Sequence, residues 1–197
     1  MGWIMPAPVF SVAAGTYSAN QTVTVTNNDA AATMRYTTDG SEPTPSTPTT
    51  VASGGTVSIT QTTTLKVKAW KTGYLASNTT TAIYELKVVT PSATPGTGAY
   101  GTAQNVTLST STAGATIRYT TDATEPTATS TAYSAPVAVS STLTLRARGF
   151  KTGWSPSDAV TPSYWISAGT VATPTAESVA AGAGALGNPV GASVESA

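Results

Sequence analysis

Arg35-Tyr36-Thr37-Thr38-Asp39-Gly40-Ser41-Glu42-Pro43-Thr44 decides the fold, because the chain writes it again as Arg118-Tyr119-Thr120-Thr121-Asp122-Ala123-Thr124-Glu125-Pro126-Thr127. The offset is 83 residues. Working outward, Thr22-Val23-Thr24-Val25-Thr26 matches Asn105-Val106-Thr107-Leu108-Ser109, and Tyr17 matches Tyr100, at the same spacing. Lys71-Thr72-Gly73-Tyr74 returns as Lys151-Thr152-Gly153-Trp154 at an offset of 80, so the second copy is three residues shorter in between. A repeat of this length fixes the architecture as two tandem copies of one domain. Each copy spans about 80 residues, enough for one modest core.

Composition narrows the class. Charged residues are 9% of the 197, against about 25% in an average globular protein. Thr, a β-branched residue suited to a pleated half-exposed surface, makes up about a fifth of the chain. A Thr-rich, charge-poor sequence punctuated by Gly and Pro predicts an all-β protein outside the cytoplasm. There is no Cys and no His. Disulfides and thiolate metal sites are thereby excluded, and so are the commonest general base and the usual nucleophilic triads. Nine acids balance nine bases with no basic tract, which argues against nucleic acid as a partner. No apolar run reaches the length of a membrane span, so membrane insertion is not expected. Met1-Gly2-Trp3-Ile4-Met5-Pro6 lacks the charged and apolar regions of a secretory signal. Export of a signal-bearing precursor and release with a phage particle both fit.

Period-two alternation runs through both copies. Val23 and Val25 share one face; Met34 and Tyr36 share another with Arg35 outward; Leu65, Val67 and Ala69 point inward with Lys66 and Lys68 outward. The second copy repeats this with Val106 and Leu108, Ile117 and Tyr119, and Leu143, Leu145 and Ala147 against outward Arg146 and Arg148. A slip of one residue would bury those cations, so register is well specified. Further strands are expected at Val57–Ile59 and Val137–Val139, around Val9-Phe10 and Pro91–Ala93, and at Thr81–Tyr84 and Thr161–Tyr164. Six or seven short strands per copy with no helical period predict immunoglobulin- or fibronectin-III-like β-sandwiches over residues 6–86 and 88–166. Residues 87–90 form a short link.

Asp39, Gly40 and Pro43 define a turn, as do Asp122 and Pro126. Asp caps amides two residues on, and Pro ends strand pairing. Ala123 stands where the first copy has Gly40, which predicts that this position does not need positive φ. The Tyr-Thr-Thr-Asp-Gly-Ser-x-Pro-Thr core and the Lys-x-Gly-Tyr/Trp turn resemble the small immunoglobulin-like domain at the C-terminus of bacterial chitobiase and β-hexosaminidase. The resemblance covers residues 6–86 and 88–166. It implies a non-catalytic appended module; the sugar-cleaving barrel of those enzymes is absent, so no glycosidase activity carries over.

Residues 167–197 form an Ala/Gly-rich tail. Ser178-Val179-Ala180-Ala181-Gly182 repeats Ser11-Val12-Ala13-Ala14-Gly15 letter for letter. The tail therefore reads as the start of a third copy, or as a strand adding to a neighbouring molecule through residues 172–197.

Several constellations are candidates for chemistry. Asp39 with Glu42, and Asp122 with Glu125, offer oxygens to a calcium ion, but two carboxylates are few and turn capping explains them equally. Three residues apart on one turn, they cannot flank a glycosidic bond. Metal, cofactor and catalytic residues are accordingly expected to be none. Trp70, Tyr74, Phe150 and Trp154 either stack on a ligand such as a sugar ring or close the open end of a sandwich core. Trp3 and Trp165, at the module ends, fit an inter-domain joint or a partner surface. Lys66, Lys68, Arg146 and Arg148 form outward stripes suited to an anionic polysaccharide or simply to solvent. Asn20, Asn78 and Asn105 begin glycosylation triplets, which arise easily in so Thr-rich a chain.

The sequence thus predicts a non-enzymatic structural or adhesive module of a cell-surface, fibre or virion assembly. It is expected to contact other protein subunits, with polysaccharide as a further partner, outside the cell on a bacterial surface or phage particle. The alternative is a carbohydrate-binding accessory module of a secreted glycoside hydrolase.

Overall fold

A computed structural model describes residues 2–167. The segment 168–197, and with it the expected third copy or assembly strand, lies outside the described residues. Among those described, all regular structure is β, and no helix is long and apolar enough to cross a membrane.

The first repeat is a sandwich of two sheets. Strands β1 (Val9–Phe10), β3 (Gln21–Thr26) and β6 (Gly55–Ile59) form one, in the order β1-β3-β6. The other has five strands in the order β2-β8-β7-β4-β5: β2 (Gly15–Tyr17), β8 (Thr80–Leu86), β7 (Thr63–Trp70), β4 (Thr33–Thr37) and β5 (Thr50–Val51). Alternation does the building. Val23 and Val25 of β3, Met34 of β4, and Leu65, Val67 and Ala69 of β7 fill the space between the sheets. The second repeat has the same plan. β9 (Ser92–Thr94), β11 (Gln104–Ser109) and β14 (Val137–Val139) make the small sheet. Val106, Leu108, Ile117, Leu145 and Tyr164 fill its core.

The large sheet of the second repeat is interrupted. Its strands are β10 (Gly98–Tyr100), β12 (Thr116–Thr120), β13 (Thr131–Ala132), β15 (Leu143–Thr144), β16 (Arg146–Phe150) and β17 (Ser163–Ile166). They pair as β10-β17-β15 and β13-β12-β16. Pro162 stands where the first repeat has Ala82, inside β8. A proline has no amide to give the ladder. It can only accept, from Leu145 N–H at 3.0 Å. The last strand therefore begins at Ser163, not at Thr161 as expected, and β15 and β16 separate at Leu145.

The recurring sequence is a recurring set of hydrogen bonds. Asp39 Oδ1 accepts from Ser41 N–H and Oγ (2.9 and 2.6 Å), as Asp122 Oδ1 does from Thr124 (3.1 and 2.6 Å). Thr37 Oγ1 donates to Ser41 O at 2.5 Å and Thr120 Oγ1 to Thr124 O at 2.6 Å. Pro43 and Pro126 are both buried. The expectation about Ala123 is overturned: its φ is 63°, matching Gly40 at 80°. The Asp-centred hydrogen bonds force the left-handed conformation on whatever residue follows.

The two repeats join without a free linker. Val88 N–H donates to Ser155 O (3.0 Å), and Ser155 N–H donates to Leu86 O (2.7 Å). Lys87 pairs with Asp158 at 2.8 Å, and Val89 N–H reaches Thr112 Oγ1. Residues expected as a link are thus hydrogen-bonded to the second repeat, while Val88 is buried in the core of the first. The start of the chain meets the first repeat in the same way. Met5 N–H donates to Leu75 O (3.0 Å) and Leu75 N–H to Trp3 O (2.9 Å).

Candidate functional site

The candidate surfaces lie on the outward face of each large sheet and at the Lys-Thr-Gly turn beside it. Register places them. Thr33 stands opposite Trp70, and Arg35 opposite Lys68, on β4 and β7. Thr116 stands opposite Phe150, and Arg118 opposite Arg148, on β12 and β16. Cross-strand and diagonal neighbours on one face of a sheet are within reach of long side chains. Each repeat therefore gathers a Thr, an Arg and an aromatic ring on one outer face, and the turn that follows adds Lys71 or Lys151.

The result is a pair of equivalent shallow grooves, each about 340 Å³. One is lined by Thr33, Arg35, Trp70, Lys71 and Thr72. The other is lined by Thr116, Arg118, Phe150, Lys151 and Thr152. Trp70 and Phe150 are half-buried, so each exposes part of its ring to its groove.

Charge differs between the outer stripe and the grooves. Glu42 lies 3.6 Å from Lys66 and 3.3 Å from Lys68. Glu125 makes the same clamp, 2.5 Å from Arg146 and 3.2 Å from Arg148. The hydroxyl of Thr79, then Lys68 and Lys66, hold the Glu42 carboxyl below its ordinary range. Each outward stripe therefore has its cations bridged in pairs by one glutamate and keeps a single net positive charge. Asp39 and Asp122 are likewise held low, first by the hydroxyls of Ser41 and Thr124 and then by their amides. Among the described residues no cluster of three or more acids is placed to hold a metal ion.

Of the nine cations, the three without an ion-pair partner among the described residues are Arg35, Arg118 and Lys151, and all three line the grooves. Arg118 is fixed by donating from Nη1 to Ser130 O at 2.6 Å; Arg35 does the same to Thr47 O. Lys151 Nζ sits 4.1 Å from the centre of the Trp154 ring, a cation–π distance. Lys71 is different, bonded to Asp29 at 2.6 Å. This contact holds Asp29 low and Lys71 high. Thr112 stands at the position of Asp29 in the second repeat, so Lys151 has no such acid.

The aromatic residues singled out in the sequence separate into three groups. Trp70 and Phe150 are groove residues. Trp3 (78% exposed), Trp165 (53%) and Tyr74 (42%) are surface rings, with Ile4 and Leu75 exposed close to Trp3. Trp154 differs from both: it is 8% exposed and buried in the core of the first repeat, and its remaining edge lines the second groove beneath Lys151. Its indole N–H donates to Thr60 O at 2.9 Å, and Thr62 N–H donates to Gly153 O at 2.7 Å. Of the two places read for Trp3 and Trp165, an inter-domain joint or a partner surface, the joint is taken by Trp154, because the 150s turn abuts the open end of the neighbouring core. Arg35, Arg118 and the unequal settings of Lys71 and Lys151 were not singled out as contact residues. The signal for the arginines lay in the repeat itself, which places an outward Arg at one position in both copies.

These features define a tandem β-sandwich protein whose two repeats carry corresponding grooves. The chitobiase/beta-hexosaminidase C-terminal domain family matches residues 12–81 and 95–161. The chain belongs to that family, and is matched by it twice. No curated protein matches the chain. Among solved structures, it is similar to the fibronectin(III)-like modules of Clostridium thermocellum CbhA, at 13% identity and a TM-score of 0.31, covering 81% of this chain and 93% of that one. It is also similar to murine CEACAM1b, at 11% identity and a TM-score of 0.27, covering 79% of this chain and 97% of that one.

Proposed function

We propose that the chain is a non-catalytic structural or adhesive module, which holds other protein components at a fixed separation in a cell-surface, fibre or virion assembly. The observation that carries this reading is the joint. Trp154 of one repeat is buried in the core of the other, and backbone hydrogen bonds run both ways across the contact. Large rings dominate interface energetics, and truncating one to Ala costs about 3–5 kcal/mol. A joint of that size resists bending, which suits a spacer and not a hinge. The exposed Trp3, Ile4 and Leu75 supply an apolar surface for protein contact.

Small-angle scattering tests the reading. The native chain is expected to fit one conformation, and Trp154→Ala to need a broad range of inter-repeat orientations. Native scattering that already needs such a range would sink the spacer. A second reading, a carbohydrate-binding accessory module of a secreted glycoside hydrolase, is favoured by the twin grooves with their aromatic walls.

A further inference from the structure

We infer that the grooves bind acidic saccharides, with a uronate-type carboxylate held between the arginine and the lysine and the sugar ring against Phe150 or Trp70. The inference rests on the carbohydrate-binding reading and narrows it to one ligand chemistry.

The argument starts from charge. A solvated strand face needs no partner, and the cations of these faces already have one: two glutamates bridge four cations. Arg118 and Lys151 are left out of that arrangement, in the same groove. Both are already ordered. Arg118 spends one N–H on Ser130 O and keeps its other donors, and Lys151 rests on the Trp154 ring. Ordered cations lose little freedom when an anion arrives, so they bind it better than mobile ones. Guanidinium geometry favours a carboxylate, which it can engage with two parallel bonds.

The rest of the groove chooses the anion's carrier. Phe150 presents an apolar ring surface, Thr116 stands opposite it across the strands, and Thr152 also lines the groove. A bare inorganic anion would use none of these. A pyranose carrying a carboxylate would use all of them, with its C–H face on the ring and its hydroxyls on the threonines. Nucleic acid is a poor fit, because its affinity comes from neutralising many phosphates and each groove holds only two cations.

The two grooves are unequal. In the first, Asp29 already occupies Lys71 at 2.6 Å and competes with an incoming carboxylate. The second groove is therefore the stronger site.

Titration of the full chain with tetragalacturonate, by calorimetry at low salt, tests the inference, with cellotetraose as the neutral control. Binding of the acidic tetrasaccharide is expected and of cellotetraose is not. Lys151→Gln is expected to weaken binding at least fivefold, and Phe150→Ala about tenfold. Raising the salt should weaken it further. Asp29→Asn is expected to strengthen the weaker site about threefold, a gain no damaged fold would give. Equal binding of cellotetraose would overturn the acidic specificity and leave the carbohydrate reading standing. Binding of neither sugar would end both. Binding indifferent to Phe150→Ala and displaced by sulfate would reduce the groove to an ion site and overturn the inference.

Discussion

At the scale of single residues, Ala123 is the one non-glycine residue with positive φ among the described residues. A non-glycine residue in the left-handed region costs about 1–2 kcal/mol, and Ala123 has φ 63°. Glycine would remove that cost, while losing about 0.5–1 kcal/mol through its freer unfolded chain. Ala123→Gly should therefore raise stability by up to about 1 kcal/mol, and Gly40→Ala should lower it by a similar amount. Thermal melts of the two variants check both signs. The sequence showed the turn but misread this residue. Ala in place of Gly looks like a relaxed requirement, when the Asp122 carboxylate and the Thr124 amide dictate the backbone regardless. The outward arginines were visible as outward. Their lack of an ion pair among the described residues was not, because it depends on which cations Glu42 and Glu125 reach across strands.

At the scale of elements, the second repeat accommodates its neighbour by a missing methyl group. A Cβ on Gly149 would lie 2.5 Å from Val88 Cγ1. The first repeat has Ala69 at that position and the unbranched Met5 in place of Val88, both buried. Gly149→Ala is expected to cost about 1–3 kcal/mol by overpacking. Adding Val88→Ala should recover more than the sum of the single effects allows, read from chemical denaturation of the four chains. Strand existence and facing were legible from alternation throughout, as in β3, β7 and β11. Strand continuity was not. Pro162 sits in a run that otherwise reads like β8, and only its missing amide explains why the sheet parts at Leu145.

At the scale of the whole molecule, stability should be flat with pH over the neutral range. With no His and no Cys, no side chain at its ordinary value titrates there. Acid is the first limit. Lys71 holds Asp29 low, Lys87 holds Asp158 low, Thr79 holds Glu42 low, and Ser41 and Thr124 hold Asp39 and Asp122 low. A carboxyl depressed in the fold contributes stability above its unfolded value, about 4, and that contribution disappears as pH falls through the folded value. Melting temperature should drop below about pH 4. At the alkaline end, burial raises Tyr84 and Tyr164. Their neutral forms favour the fold until pH passes the unfolded value near 10, so stability should fall again there. A melting-temperature scan from pH 2 to 11 in which the plateau is broken near neutrality would contradict this. Two repeats were legible in the sequence; their interlocking was not, since nothing local marks Trp154 as a residue for the other repeat's interior.

The contact of Trp3 and Met5 with Leu75 has the same bonding pattern as that of Leu86 and Val88 with Ser155. In each repeat the segment leading into it is thus bonded to that repeat's own Lys-Thr-Gly turn, and in the second repeat that segment runs on from the closing strand of the first. A further copy made from the second repeat would carry the Trp154 plug with it, whereas one made from the first would bring the exposed Tyr74 in its place. Only units of the former kind would lengthen the row as like segments lengthen a ruler.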